Sequence, residues 1–415
     1  MIRSLSALSP VSFSKYNGGA PPLLRGSGDI MGSSSDPGAI TITPIFWTPP
    51  IAHAPSGYGF PSGYSTSLST LTANLAASSG KPSTVLGELT QYTNASGVHL
   101  NNQITAGTTL TSAAAISGSE AGCTPDSGSI YNDGAHYIAC VSDAQIAAEA
   151  QTVVTDASLP VDRAHLYPVF LPEGIEVCYG AANGSENGTC TPNSGTSSNG
   201  FCAYHSYTST DVNGLLYVAM PYSVWDSATG LNCNAADTFP QANPPVDVIA
   251  STYVHEVGEA ITDPAGLGWL DRSGNEIGDL CAYIYGSNRS TTTGAKYNQV
   301  LNGQDYEIQQ LFSNASYARN HASGCQSSWS VPTATLKSVG KAKVGVPVTL
   351  TASVATPSGA VVARAWKVNG QVVGTGPTLT TTFGAVGSNQ VTLTVTDSGN
   401  YQATSNTETV TVTKK

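Results

Sequence analysis

The chain has 415 residues, 10% of them charged, and a formal net charge of −11 at pH 7. That length is more than one compact core supports and suggests two domains. The acidic balance, with no Lys/Arg cluster to neutralise phosphates, excludes nucleic acid as a partner, and no run reaches the eighteen apolar residues of a membrane span.

Eight cysteines, an even number, read as a disulfide framework and hence a secreted protein. The absence of C-x-x-C argues against a cysteine metal site. Local pairing suggests Cys123–Cys140, Cys178–Cys202 and Cys281–Cys325, leaving Cys190 and Cys233, although eight cysteines allow 105 connectivities. The first residues hold Arg3 but no hydrophobic run of signal-peptide length, so secretion is read from the cysteines alone.

Residues 1–38 are rich in Gly, Ser and Pro and are expected to wrap the surface. AITITPIFW (39–47) alternates as a strand; TSLSTLTANLAAS (66–78) and PSTVLGELTQYT (82–93) read as helices. Ser142 or Asp143 can cap an Ala-rich helix that ends before Leu159–Pro160. AHLYPVFLP (164–172) is a strand, and GFCAYHSYTS (200–209) and GLLYVAMPYS (214–223) read as neighbouring strands joined by a DVNG turn.

The stretch around which the chain is organised is NPPVDVIASTYVHEVGEAITDP (243–264). Asn243 can cap a helix, Pro244 suits its first position, and Pro264 stops it. Val246, Ala250, Tyr253, Val254, Val257, Ala260 and Ile261 fall on one stripe, with His255 and Glu259 one turn apart on the other side. This is a zincin helix with the second histidine of H-E-x-x-H replaced by Glu259. His255 and Glu259 would hold a divalent metal, zinc by default with manganese or iron as alternatives, and Glu256 would act as general base. As a bland alternative, the same residues form a solvated polar face.

A third ligand is sought in WLDRSGNEIGDLC (269–281). If NEIGDLCAYIYG opens as a helix, Glu276 and Asp279 share a face; Asp279 is the favoured ligand and Glu276 the supporter that orients His255, with the reverse open. His205 could also reach the metal, although a lone strand histidine beside Cys and Tyr is more often hydrogen-bonded structure. Tyr283, Tyr285 and Tyr306 are candidates to stabilise an oxyanion. GLLYVAMPYS is a candidate edge strand on which an extended peptide substrate would pair, or else an internal strand.

These motifs bring a resemblance into view. HEVGEAITDP, then W-x-D-x-x-G-N-E-x-G-D-x-C-A, then YNQVLNGQDYEIQQLFSN with Cys325, resemble bacterial secreted proteins related to the plant phosphate-induced, EXORDIUM-like family. YNGGAPPLL followed by ITPIFW, and NGFCAYHSY, are similar to its opening and its Phe-Cys-x-x-x-His segment. The likeness spans roughly residues 16–326. In the bacterial branch it implies a metal-dependent peptidase; the plant relatives imply cell-wall signalling without established catalysis.

From Val331 the texture becomes Val/Thr alternation with β-turns, about seven short strands, and Trp366 stands before an Asn369-Gly370 turn. SSWSVPTA is the linker. The expected protein is a monomer: a zincin-like α+β domain (1–330), with a mixed sheet and an active-site helix, followed by an all-β Ig/PKD-like sandwich (331–415). Its function would be that of a metallopeptidase or, alternatively, a non-catalytic extracellular binding protein engaging cell-wall material through the sandwich.

Overall fold

A computed structural model describes residues 2–3, 22–32, 39–116, 138–179, 189–191, 201–210, 213–223, 239–320 and 324–415. Cys123, Cys233 and most of the YNGGAPPLL segment lie outside them.

The first part is built on a mixed sheet. Its strands are β1 (Ile2–Arg3), β2 (Ile40–Ile42), β3 (Ile45–Trp47), β4 (Ile104–Ala106), β5 (Leu110–Ser112), β6 (His165–Phe170), β7 (Phe201–Tyr207) and β8 (Leu216–Met220). They run in the order β1-β7-β8-β6-β2-β4, with β3 pairing β6 and β5. β8, β6, β2 and β4 are mutually parallel, and β7 runs antiparallel to β8. Pro44 divides the expected single strand 39–47 into β2 and β3, since it offers no N–H to a ladder.

Side-chain alternation assigns each face of this sheet to a helix layer. Leu166, Phe170, Leu216, Val218 and Met220 share a core with α1 (Tyr64–Ser78) and α3 (Pro244–Thr262). Their neighbours Tyr167, Val169, Tyr217 and Ala219 pack with Ile146, Ala150 and Val154 of α2 (Asp143–Asp156). Both faces are therefore covered, which explains why β6 and β8 read as continuous apolar runs. α2 starts in a capping box, Ser142 with Gln145. The segment 82–93 forms a 3₁₀ helix over Val85–Gln91 instead of an α-helix.

α3 keeps its Pro264 stop, but Asn243 does not cap it. The Asp247 carboxylate in the first turn instead fastens the incoming chain, accepting the main-chain N–H groups of Gln241 and Asn243 at 3.1 Å each. Of the two readings open for GLLYVAMPYS, the internal one holds: β8 lies between β7 and β6, and β7 is the strand whose outer side meets β1. β7 crosses α3 and brings His205 towards it.

Two disulfides are fully described. Cys281–Cys325 forms as expected, closing a 44-residue separation. Cys178 bonds Cys190, not Cys202, because Ile175–Tyr179 and Thr189–Cys190 pair antiparallel with these two cysteines in register. Cys202 lies on β7 in the other sheet; it and Cys140 are also disulfide-bonded.

The strands between Thr333 and Thr413 form a β-sandwich around Leu350, Trp366, Leu379, Val391, Leu393 and Val410. Ten strands build it, more than the roughly seven expected. Trp366 is fully buried, and its indole N–H donates to the Gly376 carbonyl at 2.9 Å. The Asn369-Gly370 turn has positive φ at both residues, 49° and 83°, as a tight hairpin requires. The expected linker is anchored. Trp329 is buried, its indole N–H donates to Asp397 at 2.8 Å, and its main-chain N–H donates to Pro82 O at 2.7 Å.

Trp366→Ala removes the largest ring of the sandwich core. It should lower that unit's unfolding free energy by about 3–5 kcal/mol, measured by hydrogen exchange of the Gly387–Asp397 amides in the full chain. A loss below about 1 kcal/mol would show that the ring does not hold the core together.

Candidate metal centre

α3 exposes none of His255, Glu256 or Glu259; all three are fully buried. His255 and Glu259, at i and i+4, point the same way, and His255 Nε2 lies 2.9 Å from Glu259 Oε1. Asp279 Oδ1 lies 3.9 Å from the same nitrogen. One ligand atom from each of these three residues can be chosen so that all lie within 4.8 Å of one another.

Asp279 arrives on a short turn and not on the expected helix. Only Asp279–Cys281 is helical, a single 3₁₀ turn fastened by the Cys281–Cys325 disulfide. Gly274, with φ of 82°, lies in the left-handed region just before the segment, and glycine is a poor helix former at Gly278 as well. The turn is tied to α3 by the Asp279 N–H, which donates to Glu259 Oε1 at 2.9 Å.

The roles expected of Glu276 and His205 change. Glu276 does not support His255; its Oε1 lies 3.5 Å from Nε2 of His205. The side chain that reaches Nδ1 of His255 is Gln309, at 2.7 Å. Gln309 is placed by Ser251, whose hydroxyl accepts its main-chain N–H at 3.0 Å, and by the Gly278 carbonyl, which accepts its side-chain N–H at 3.0 Å. As placed, the amide donates to Nδ1; ligation through Nε2 puts the ring hydrogen on Nδ1 and requires the Gln309 amide to turn over, at the cost of its bond to the Gly278 carbonyl. His205 reaches the cluster from β7, with Nδ1 3.5 Å from Glu256 Oε2 and 3.9 Å from Glu259 Oε2.

Sequence reasoning missed Gln309 and Gly278. Gln309 is 54 residues from His255, in an unremarkable IQQ run, and carries no local signal. Gly278 stood inside the quoted motif, but its role is steric. A Cβ there would sit 2.5 Å from Nδ1 and 2.8 Å from Cγ of His255. The imidazole lies flat against this backbone, and only glycine permits it. Of the tyrosines, Tyr306 commits its hydroxyl to Gln304 at 2.8 Å and to Asn74 at 3.0 Å. The Tyr283 hydroxyl lies 3.5 Å from Cys202 Sγ, and Tyr285 contributes its carbonyl to Asn298 at 2.7 Å.

The electrostatics are those of several charges sharing a dry site. Burial alone lowers the proton affinity of both imidazoles, yet the carboxylates around them (Glu259 and Glu256 for each) raise it overall. Burial raises the Glu259 carboxyl, but His255 outweighs this and holds it below the usual range. Burial, with Glu259 next, pushes Glu276 well up and Asp279 up to about 6. The donor set fits a divalent cation. His255 Nε2 and His205 Nδ1 are buried and form no hydrogen bond of acceptable geometry. Two ligands each about 2.1 Å from one ion are roughly 3.0–3.4 Å apart, close to the His255–Glu259 separation. Cys140, Glu176 and Cys178 also lie together, but both cysteines are in disulfides and offer no thiolate.

No protein-family model matches the sequence, and neither does any curated protein. Solved structures match over about a fifth of the chain. The PKD1 domain of the Vibrio cholerae metalloprotease PrtV is 28% identical, covering 20% of this chain and 98% of its own (TM-score 0.18). The PKD1 domain of Vibrio anguillarum Epp is 27% identical over 21% and 99% (TM-score 0.18). The fibronectin(III)-like modules of Clostridium thermocellum CbhA are 15% identical over 20% and 97% (TM-score 0.18). At these TM-scores the β-sandwich assignment rests on its own strand pairing.

Gly278→Ala should displace the His255 ring and weaken zinc binding by at least about tenfold, while the circular-dichroism spectrum stays that of the wild type. Isothermal titration of the chelator-stripped protein checks this. Undiminished affinity would show that His255 does not need this seat.

Proposed function

We propose that the protein is a secreted metal-dependent hydrolase acting on peptides or proteins, with His255, Glu259 and Asp279 holding the metal. The observation that supports this best is the convergence of these three side chains beside Glu256, all from a helix and a disulfide-fastened turn. The resemblance to secreted H-E-x-x-E proteins points the same way, and the disulfides suit an oxidising compartment. Zinc is the proposed ion; a carboxylate-rich set also suits manganese or iron. A divalent ion bound here supplies Lewis acidity, making a water more acidic and polarising a scissile carbonyl.

The chain's own residues do the rest. Glu256 follows the ligand His255 directly and lies about 100° round the helix, so its carboxylate borders the ion without being superposed on His255. It accepts the proton of the attacking water and passes it to the leaving amine. Gln309 and Gly278 fix the imidazole plane. Asp279 is the most open of the three ligands, 16% exposed in its side chain, so substrate enters on its side.

One observation favours a second reading, an extracellular binding protein. A cavity of about 410 Å³ is lined by Tyr92, Trp269, Asn314 and Arg319 from the first part of the chain and by Ala360 and Ser398 from the sandwich. Aromatic faces beside polar groups suit a sugar of wall material.

Hydrolysis of an unstructured protein such as casein separates the two. With one equivalent of zinc, Glu256→Gln should retain its metal and lose about 10²–10⁴-fold in kcat. Wild-type rates in this variant would remove Glu256 as base. A fully metallated wild type that cleaves nothing across a broad peptide library would transfer the assignment to the binding protein.

A further inference from the structure

His205 is held in the manner of a metal ligand. Its Nε2 lies 2.9 Å from the main-chain oxygen of Asp263, the residue that ends α3. A carbonyl only accepts, so Nε2 carries the hydrogen, and in the neutral ring Nδ1 is a bare lone pair. The side chain is 7% exposed, and Nδ1 has no hydrogen bond of acceptable geometry. It faces Glu256 Oε2 at 3.5 Å and Glu259 Oε2 at 3.9 Å. In the neutral ring, a lone pair set against two carboxylate oxygens is repulsive; a proton on Nδ1 relieves this, and so does a metal cation lying between them, which takes that proton's place. Donating the other ring N–H to a main-chain carbonyl is the usual way a metal-ligating histidine is oriented. His205 is thus already in the ligating tautomer.

Glu259 belongs to both clusters. Its Oε1 is next to His255 Nε2 and its Oε2 faces His205 Nδ1. His255–Glu259–Asp279 and His205–Glu256–Glu259 are each compact enough to hold an ion, with ligand atoms within 4.8 Å. One carboxylate joining two such sets is the arrangement of dinuclear centres, whose ions lie about 3.5–4 Å apart.

We propose that His205, Glu256 and Glu259 form a second divalent-cation position, bridged through Glu259 to the His255–Glu259–Asp279 centre. It rests on the reading of that first centre given above. Glu276, near Nε2, flanks the new position without ligating, since Nε2 is turned to Asp263. The second ion takes the Glu256 oxygen on which general-base action depends. The protein with one ion keeps its base, and the protein with two has lost it, so excess metal silences hydrolysis.

The test uses the full chain with disulfides intact, stripped by chelator and titrated with zinc alone, with bound metal counted after desalting. Wild type should bind two equivalents. His205→Ala and the more conservative His205→Asn should keep one equivalent and weaken the other at least about tenfold, and Asp279→Asn should also keep one. Glu259→Gln should weaken both. Circular dichroism identifies any variant that fails to fold. One equivalent in wild type, unaffected by His205→Ala, would overturn the second position and leave the first standing. One equivalent lost in both His205→Ala and Asp279→Asn would mean a single composite centre, and would overturn it too. No zinc bound by wild type would overturn both readings. Hydrolysis that rises with the second equivalent would overturn the inhibitory role of that ion.

Discussion

The Glu259 carboxylate is the point on which this half of the molecule depends. It sits in the middle of a helix, fully buried, where a lone charge would be prohibitively costly. Three elements meet its two oxygens. α3 itself brings His255, the turn after Gly278 brings the Asp279 N–H, and β7 brings His205. Each of these groups favours the ionised form, which keeps Glu259 charged although burial opposes it. Removing the charge would take a partner from the turn and from both imidazoles at once, leaving the turn to its disulfide, His255 to Gln309, and His205 to Glu256 and the Asp263 carbonyl.

The surrounding fold is arranged to hold that carboxylate still. The sheet is covered on both faces, so β7 and α3 are pressed together by packing on the α1/α3 side. Gly258 removes a side chain from α3 where Leu311 approaches; a Cβ there would meet Leu311 at 3.0 Å. The Cys281–Cys325 bridge closes the turn carrying Asp279 onto the strand pair Leu311–Phe312 and Cys325–Gln326. A rigid support of this kind is what a site of several mutually repelling groups needs, since loosening it would let the carboxylates swing apart.

The sandwich is joined to this support by more than a tether. Trp329 lies between Pro82 and Asp397, and a Cβ at Gly399 would come within 2.5 Å of its indole. The Tyr401 hydroxyl donates to the Gly87 carbonyl at 3.2 Å. A stretch whose Ser-rich composition suggested a linker is thus fastened by the buried Trp329 ring and by hydrogen bonds of Ser327 with Gln310 and of Ser330 with Ser358.

Much of the plan was legible in the residues themselves. The apolar stripe of α3, its Pro264 stop and the i, i+4 spacing of His255 and Glu259 are local properties, and local backbone geometry converts them directly into a face. The same holds for the Ser142 cap, the strands at 165–170 and 201–207, and the Val/Thr alternation after Val331. What only the tertiary structure decided were the relations between distant segments. These include Gln309 at His255, Glu276 beside His205 in place of His255, β7 in place of β8 next to the sheet's edge, and Cys178 with Cys190. None has a period or a spacing to announce it. Each depends on which strand lies beside which and on the close approach that Gly278 allows, and those follow from how the whole core packs, not from any stretch of sequence read alone.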